Sequence, residues 1–62
     1  MRLVQLTSPN GAPTFVNPEM VCVIDRADKG VDGRDAGCVI FHASGRKAVR
    51  ETLEDVHARL SA

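Results

Sequence analysis

Two apolar runs without regular alternation limit the folds open to this sequence. Residues 20–25 have no polar member before Asp25, and residues 38–43 are almost as apolar. Both runs are rich in β-branched residues, which favours strands, and a strand that is apolar on both faces is central in a sheet or lies at an interface. The segment 27–37 between them is charged and rich in glycine. We therefore predict an antiparallel pair of strands joined by a mobile hairpin loop.

Three further segments predict shorter strands. Residues 2–7 and 14–16 flank the turn signal Ser8-Pro9-Asn10-Gly11, and residues 47–49 follow a turn at Ser44-Gly45. Together with the helix described next, these segments predict an α+β fold in one domain, residues 1–62. We expect a small antiparallel β-sheet of four to five strands and one C-terminal α-helix. A curled or barrel-like sheet is an open alternative.

The C-terminal helix has the strongest local signals, and we predict it from Thr52 to Leu60. Thr52 is a good N-cap, and Asp55 takes the place of the capping-box acid three residues later. Leu53, Val56 and Leu60 form one apolar stripe. Because so short a helix is marginal on its own, the stripe must pack on the sheet.

Length, charge and cysteine content narrow the classes of protein. A domain of 62 residues buries only about 60% of its unfolded surface, so association with another chain would add needed stability. Eight basic and eight acidic residues give no net charge, hence no general attraction for nucleic acid. No apolar run approaches the roughly 20 residues of a membrane span, and two cysteines are too few for a secreted disulfide framework. We expect a cytoplasmic protein without membrane insertion.

The residues that could perform chemistry are few and badly spaced. The aspartates of the 27–37 segment fail the calcium-loop pattern, because Val39 stands where its last ligand should be. Cys22, Cys38, His42 and His57 form no close ligand pair. We predict no metal, no cofactor and no catalytic residue, and we expect little room for a substrate cleft of about 300 Å³. The chain is predicted not to be an enzyme.

The doubly apolar strands predict the partner surface. One helix covers one face of a sheet, so the opposite face would carry an exposed apolar patch, which usually marks an interface. A two-fold dimer would bury such a patch twice. We predict a protein-interaction module that forms a homodimer, with another protein as a further candidate partner. The predicted patch consists of Val21, Val23, Val39 and Phe41.

One basic concentration supports an alternative function. If the fifth strand lay beside the first, a patch for phosphate would form from Arg2, Arg46, Lys47 and Arg50. The chain would then be a small nucleic-acid-associated regulator. The sequence has no Tyr or Trp for base stacking, which makes nucleic acid the less favoured partner.

The order of elements also resembles a known family. Residues 45–56, preceded by Val39-Ile40, and residues 15–21 after Asn10-Gly11 are similar to the small bacterial flagellar and swarming motility proteins of the FlbD/SwrD type. The turn here is Ser44-Gly45, where that family has Asn-Gly. The resemblance implies a non-enzymatic cytoplasmic factor for flagellar motor function. A phage or mobile-element inhibitor that masks a bacterial protein surface is a third hypothesis, which no residue selects.

Overall fold

The computed structural model describes residues 2–62. It is a small α+β fold of antiparallel strands with a C-terminal helix, as predicted. A short 3₁₀ turn, Pro18–Met20, separates the second strand from the third. The strands are β1 (Val4–Thr7), β2 (Pro13–Val16), β3 (Val21–Arg26), β4 (Cys38–His42) and β5 (Gly45–Val49), and the helices are α1 (Lys29–Asp32) and α2 (Leu53–Ser61).

The five strands form two sheets and not the single sheet that we predicted. One sheet is the hairpin β1-β2, and the other has the order β3-β4-β5. The change of direction comes at Asn17, whose side chain accepts a hydrogen bond from the Glu19 N–H and caps the 3₁₀ turn begun by Pro18. The sheets meet where the Arg50 N–H donates to the Thr7 carbonyl at 2.7 Å. They are not closed into a barrel.

A β-bulge at Cys22 sets which side chains of β3 face the core. Val21 lies opposite His42, whereas Val23 lies opposite Phe41, so Cys22 is the extra residue. The bulge reverses the alternation between Val21 and Val23. Their side chains therefore lie on opposite faces, although a regular strand would place them on the same face.

The core lies between the two sheets and α2. Its fully buried members are Leu6, Cys38, Ile40, Val49 and Val56. Half-buried residues of α2 and of the strands surround them, including Leu53 and Leu60. The predicted apolar stripe of the helix is thus confirmed.

The cap of α2 is simpler than predicted. The Asp55 N–H donates to the Thr52 hydroxyl at 3.1 Å, which confirms Thr52 as the N-cap. The Asp55 carboxylate, shorter than the usual glutamate, accepts instead from Arg59 at 3.3 Å, one turn along the helix. Only the hydroxyl half of the capping box is therefore formed.

The 27–37 segment is structured, whereas we expected a mobile loop. Asp28 caps α1, its side chain accepting from the Gly30 N–H at 2.9 Å. The Asp32 carboxylate pairs with the Arg46 guanidinium, which ties α1 to β5. At the end of the segment, the Gly37 N–H donates to the Val49 carbonyl at 2.8 Å.

Candidate interaction groove

Only two of the four residues predicted to form the partner patch remain available for it. The bulge turns Val21 toward the core, against which it packs. Val39 lies on the outer face but is only 2% exposed. Val23, 50% exposed, and the half-buried Phe41 lie directly opposite each other on the outer face.

The 27–37 segment is linked to the outer face of the sheet through Arg46, which lies next to Phe41. Arg46 lies opposite Phe41, with its guanidinium carbon 5.7 Å from the centre of the Phe41 ring. This distance is within the range of a cation–π contact. Because Asp32 pairs with the same guanidinium, the C-terminal end of α1 lies beside the Phe41–Arg46 pair on the outer face. The prediction of an open apolar face is wrong at Val39, which is buried. It assumed that the 27–37 segment stays in solvent as a loop.

The predicted basic patch does not form. Arg2 donates to the carbonyls of Leu60 and Ala62 at the end of α2, a position that suits a cation at the helix C-terminus. Arg50 donates to the Pro9 carbonyl at 2.9 Å and lies 3.8 Å from an Asp35 carboxylate oxygen. Arg46 is paired with Asp32, as described above. Lys47 lies on the opposite face of β5 from Arg46, because successive side chains of a strand alternate.

A different basic group lies around an open groove of about 380 Å³ at the start of α2. Arg26, Lys29 and Arg34 line it together with Arg50. Sequence reasoning missed the first three because they are spread over β3 and the 27–37 segment. The positive charge of this basic group is reduced by two carboxylates. Glu54 pairs with Arg26, and Asp35 lies near Arg50.

A second groove, of about 370 Å³, lies between the two sheets. The expectation of little room for a cleft is therefore wrong. Thr14 and Val16 of β2 lie on one side, and Met20, 51% exposed, also lines it. Ile40 lies at the groove but is fully buried, so a partner cannot touch its side chain. Its remaining lining comes from Phe15, Asn17, His42, Ala43, Ser44, Arg46 and Lys47. We call this site the inter-sheet groove.

The inter-sheet groove exists because the two sheets are separate. Lys47 lies directly opposite Ile40 on the inner face of the three-stranded sheet. The β1-β2 hairpin covers only part of that face, so the half-buried Lys47 stays accessible from the groove. Both β2 and β5 are edge strands of their sheets. The sequence gives no signal for this opening, since it follows from the angle between sheets.

Protein-family models, curated proteins and solved structures give no match to this chain.

The two thiols differ in their environment. Cys38 lies in the core, where burial, together with the nearby Asp25, raises the pKa of its thiol. A thiol held protonated in this way is a poor nucleophile. Cys22 is exposed at the bulge, and both cysteines are free.

The two histidines and the acidic residues of the described chain form no metal site. The His42 Nδ1 accepts from the Ser44 backbone N–H at 3.2 Å, and His57 is exposed on α2. Within residues 2–62, no three side chains of His, Cys, Asp or Glu are placed to hold a metal ion. In the same part of the chain, neither helix is long and apolar enough to cross a bilayer.

Proposed function

We propose that this chain is a non-catalytic protein-interaction module that binds an extended segment of a partner protein in the inter-sheet groove. The observation that carries the proposal is the groove itself, which is lined in part by apolar side chains and bordered by two edge strands. Edge strands have backbone groups free to pair with an added strand, and pockets beside them select its side chains. The half-exposed Met20 gives the lining an adaptable apolar side chain.

The composition of the groove supports binding more than catalysis. His42 is the groove residue best suited to act as a base, and its Nδ1 already accepts a backbone hydrogen bond. The carboxylates of residues 2–62 lie elsewhere, so the groove side chains lack an acid to orient a base. The buried, protonated Cys38 thiol supports the same conclusion.

Selection of peptides from a random display library on the immobilised chain tests the proposal. We expect the wild-type chain to enrich peptides with a shared pattern. The Met20→Ser variant, which removes an exposed apolar wall, should lose that enrichment. Val31→Ser is the control, because Val31 is also an exposed apolar residue but lies on α1, outside the lining.

Two results would overturn the proposal. One is a library that yields no enriched pattern on the folded wild-type chain. The other is equal enrichment on the wild type and on folded Met20→Ser, which would place binding elsewhere. Circular dichroism of each variant shows whether it is folded.

Self-association is a second form of this proposal, favoured by one observation. Val23 and Phe41 are directly opposite on the outer face, and Val23 is half exposed. A second copy placed on this pair would cover both side chains and add buried area to a small domain.

The resemblance to flagellar and swarming proteins extends the proposal to a process. The partner segment would then belong to a component of the flagellar motor. Loss of swarming after deletion of the gene from a motile strain that encodes it would support this extension. Unchanged swarming would contradict it without affecting the groove.

Nucleic-acid binding has less support than the sequence suggested. Three of the four predicted contact residues, Arg2, Arg46 and Arg50, already have partners within the chain. Their charges are also spread over separate parts of the surface. A salt-dependent complex with generic DNA that is lost in Lys47→Glu would restore that alternative.

A further inference from the structure

We propose that the groove at the start of α2 binds a phosphate monoester, the doubly charged group of phosphorylated side chains and small phosphorylated molecules. We call this site the basic groove, and its charged lining residues are Arg26, Lys29, Arg34, Asp35 and Arg50. It is separate from the inter-sheet groove, so the inference does not depend on the proposed function. It follows from the charges that line the basic groove and from the backbone contacts that hold them together.

Half of the basic residues of a neutral chain line this one groove. The chain has eight basic and eight acidic residues. Four of the basic residues line the basic groove, and Asp35 is the one acidic residue among its described lining. Glu54, outside the lining, pairs with Arg26 and supplies a second negative charge. Four positive and two negative charges leave an excess of two positive charges, which matches a phosphate dianion.

Two of the four cations have no carboxylate partner. Lys29 and Arg34 are exposed, and neither forms an ion pair with a carboxylate of residues 2–62. The Arg50 guanidinium lies 3.8 Å from Asp35, at the limit of an ion pair, and its side chain is 47% exposed. Cations that lie close together repel one another, and an anion bound between them removes that repulsion.

Backbone hydrogen bonds hold together the segments that carry these cations. The Ala27 N–H donates to the Gly37 carbonyl at 3.3 Å, which closes the segment between them and keeps Arg26 at its base. The Gly37 N–H donates to the Val49 carbonyl at 2.8 Å, which brings Arg50 to the same base. The backbone around the basic groove is therefore formed before a ligand arrives, and binding has to order only side chains.

The uncharged lining suits a phosphate group better than a nucleotide base. It consists of small residues, which let an anion approach the guanidinium groups: Ala27, Ala36, Gly37 and Thr52. The Thr52 hydroxyl oxygen accepts from the Asp55 N–H, so its own O–H can donate to an anion. The described lining has no aromatic side chain on which a base could stack. The arginines, in contrast, have the forked donors that match phosphate oxygens.

The experiment is an NMR titration of the isotopically labelled chain with three blocked peptides. They are Ala-phosphoserine-Ala and its counterparts Ala-Glu-Ala and Ala-Ser-Ala. We expect the phosphorylated peptide to shift the amides of Ala27, Ala36 and Gly37, which line the basic groove. It should bind about tenfold more tightly than the glutamate peptide, because phosphate adds charge and charge-assisted hydrogen bonds. The serine peptide should leave these amides unchanged.

Glycerol phosphate, a phosphate monoester without a peptide, identifies the source of the group. Binding as tight as that of the phosphorylated peptide would support recognition of the phosphate alone, as on a small molecule. Weaker binding at the same amides would support a phosphorylated side chain of a partner protein.

Variants assign the binding to the basic groove. Lys29→Gln and Arg34→Gln should each weaken binding of the phosphorylated peptide about threefold, as for exposed charge pairs, and together they should abolish the preference over glutamate. Asp35→Asn should strengthen binding, because it removes the negative charge of the lining. Lys47→Gln is the matched control, since it removes a lysine from the inter-sheet groove and should change nothing. Circular dichroism shows that each variant is folded.

Three results would overturn the inference. The first is a phosphorylated peptide that leaves the lining amides unshifted or binds no better than the glutamate peptide. The second is a preference that survives in the folded double variant of Lys29 and Arg34. The third is a DNA duplex, whose phosphodiesters carry one charge each, that binds these amides more tightly than the phosphorylated peptide. None of these results bears on the inter-sheet groove, which the display selection tests separately.

Discussion

Glu51 accepts a hydrogen bond from the Thr7 N–H at 2.9 Å and thereby joins the segment before α2 to the end of β1. The contact lies beside the bond from Arg50 to Thr7, where the two sheets meet. Arg59 of α2 lies 3.7 Å from the same carboxylate, whose side chain is almost buried. One carboxylate thus links both sheets to the helix.

The stability of the fold should fall in acid because of Glu51. Burial alone would raise its pKa, but hydrogen bonds from Thr7, together with the charge of Arg59, lower the pKa below its ordinary value. The carboxylate therefore stabilises the fold above its unfolded pKa of about 4.3, and this stabilisation is lost as the pH falls through the lower folded pKa. Urea denaturation at pH 7 and at pH 3 measures the loss.

Replacing Glu51 tests whether this carboxylate causes the loss of stability in acid. Glu51→Gln should lower the free energy of unfolding at pH 7 by about 1–3 kcal/mol, as for other buried hydrogen-bonded groups. Its stability should then vary less with pH than that of the wild type. Glu54→Gln is the control. A hydrogen bond from Arg26 also lowers the Glu54 pKa, but the side chains of this pair are 67% and 65% exposed, so water screens the interaction and its contribution to stability is small. The assignment fails if both variants keep the wild-type pH dependence.

Gly37→Ala should destabilise the fold by about 1–3 kcal/mol. A Cβ at Gly37 would lie 2.5 Å from the Arg50 carbonyl oxygen and 2.6 Å from that of Glu51. Both atoms are backbone and cannot move aside cheaply. Gly30→Ala is the matched control, because its Cβ would meet only the Asp28 side chain at 3.4 Å. Thermal unfolding of both variants should show a clear loss only for Gly37→Ala.

Thr52→Ala should cost about 1 kcal/mol, because it leaves the Asp55 N–H without its cap. Thr52→Ser keeps the hydroxyl and should be close to the wild type. Chemical denaturation followed by circular dichroism compares the two variants. Equal stability of the alanine and serine variants would contradict the capping role.

Breaking the Arg46–Asp32 pair should loosen the 27–37 segment. Asp32→Asn weakens the attraction that ties α1 to β5. The N–H groups of Val31 and Asp32 donate to the Asp28 carbonyl, so hydrogen exchange at these two amides should accelerate. Core amides of β4 should be unaffected. Asp35→Asn is the control, since its pair with Arg50 is long and exposed. Unchanged exchange in Asp32→Asn would show that other contacts hold the segment.

Self-association through Val23 and Phe41 on the outer face can be tested by measuring the molar mass. If a second copy covers Val23 and Phe41, the wild type should have the molar mass of a dimer by light scattering. Val23→Asp should then reduce it to that of one chain. Met20→Ser should keep the dimer, because the groove is a separate surface. A wild-type molar mass of one chain would contradict the dimer.

Local patterns determined much of this fold. The cap and apolar stripe of α2, the turn at residues 8–11 and the β-type runs are all readable from neighbours in sequence, and each appears in the structure. They are readable because capping, strand propensity and turn geometry depend on residues a few positions apart. The antiparallel pairing of β3 with β4 follows in the same way.

The surfaces depended on tertiary structure. The bulge at Cys22 placed Val21 and Val23 on opposite faces, and the Asp32–Arg46 pair ties α1 to β5. Neither feature has a local signal, because a bulge needs only one extra residue and an ion pair joins distant segments. The separation of the two sheets likewise opened the inter-sheet groove. The sequence thus determined the elements, while packing between them decided which side chains a partner can reach.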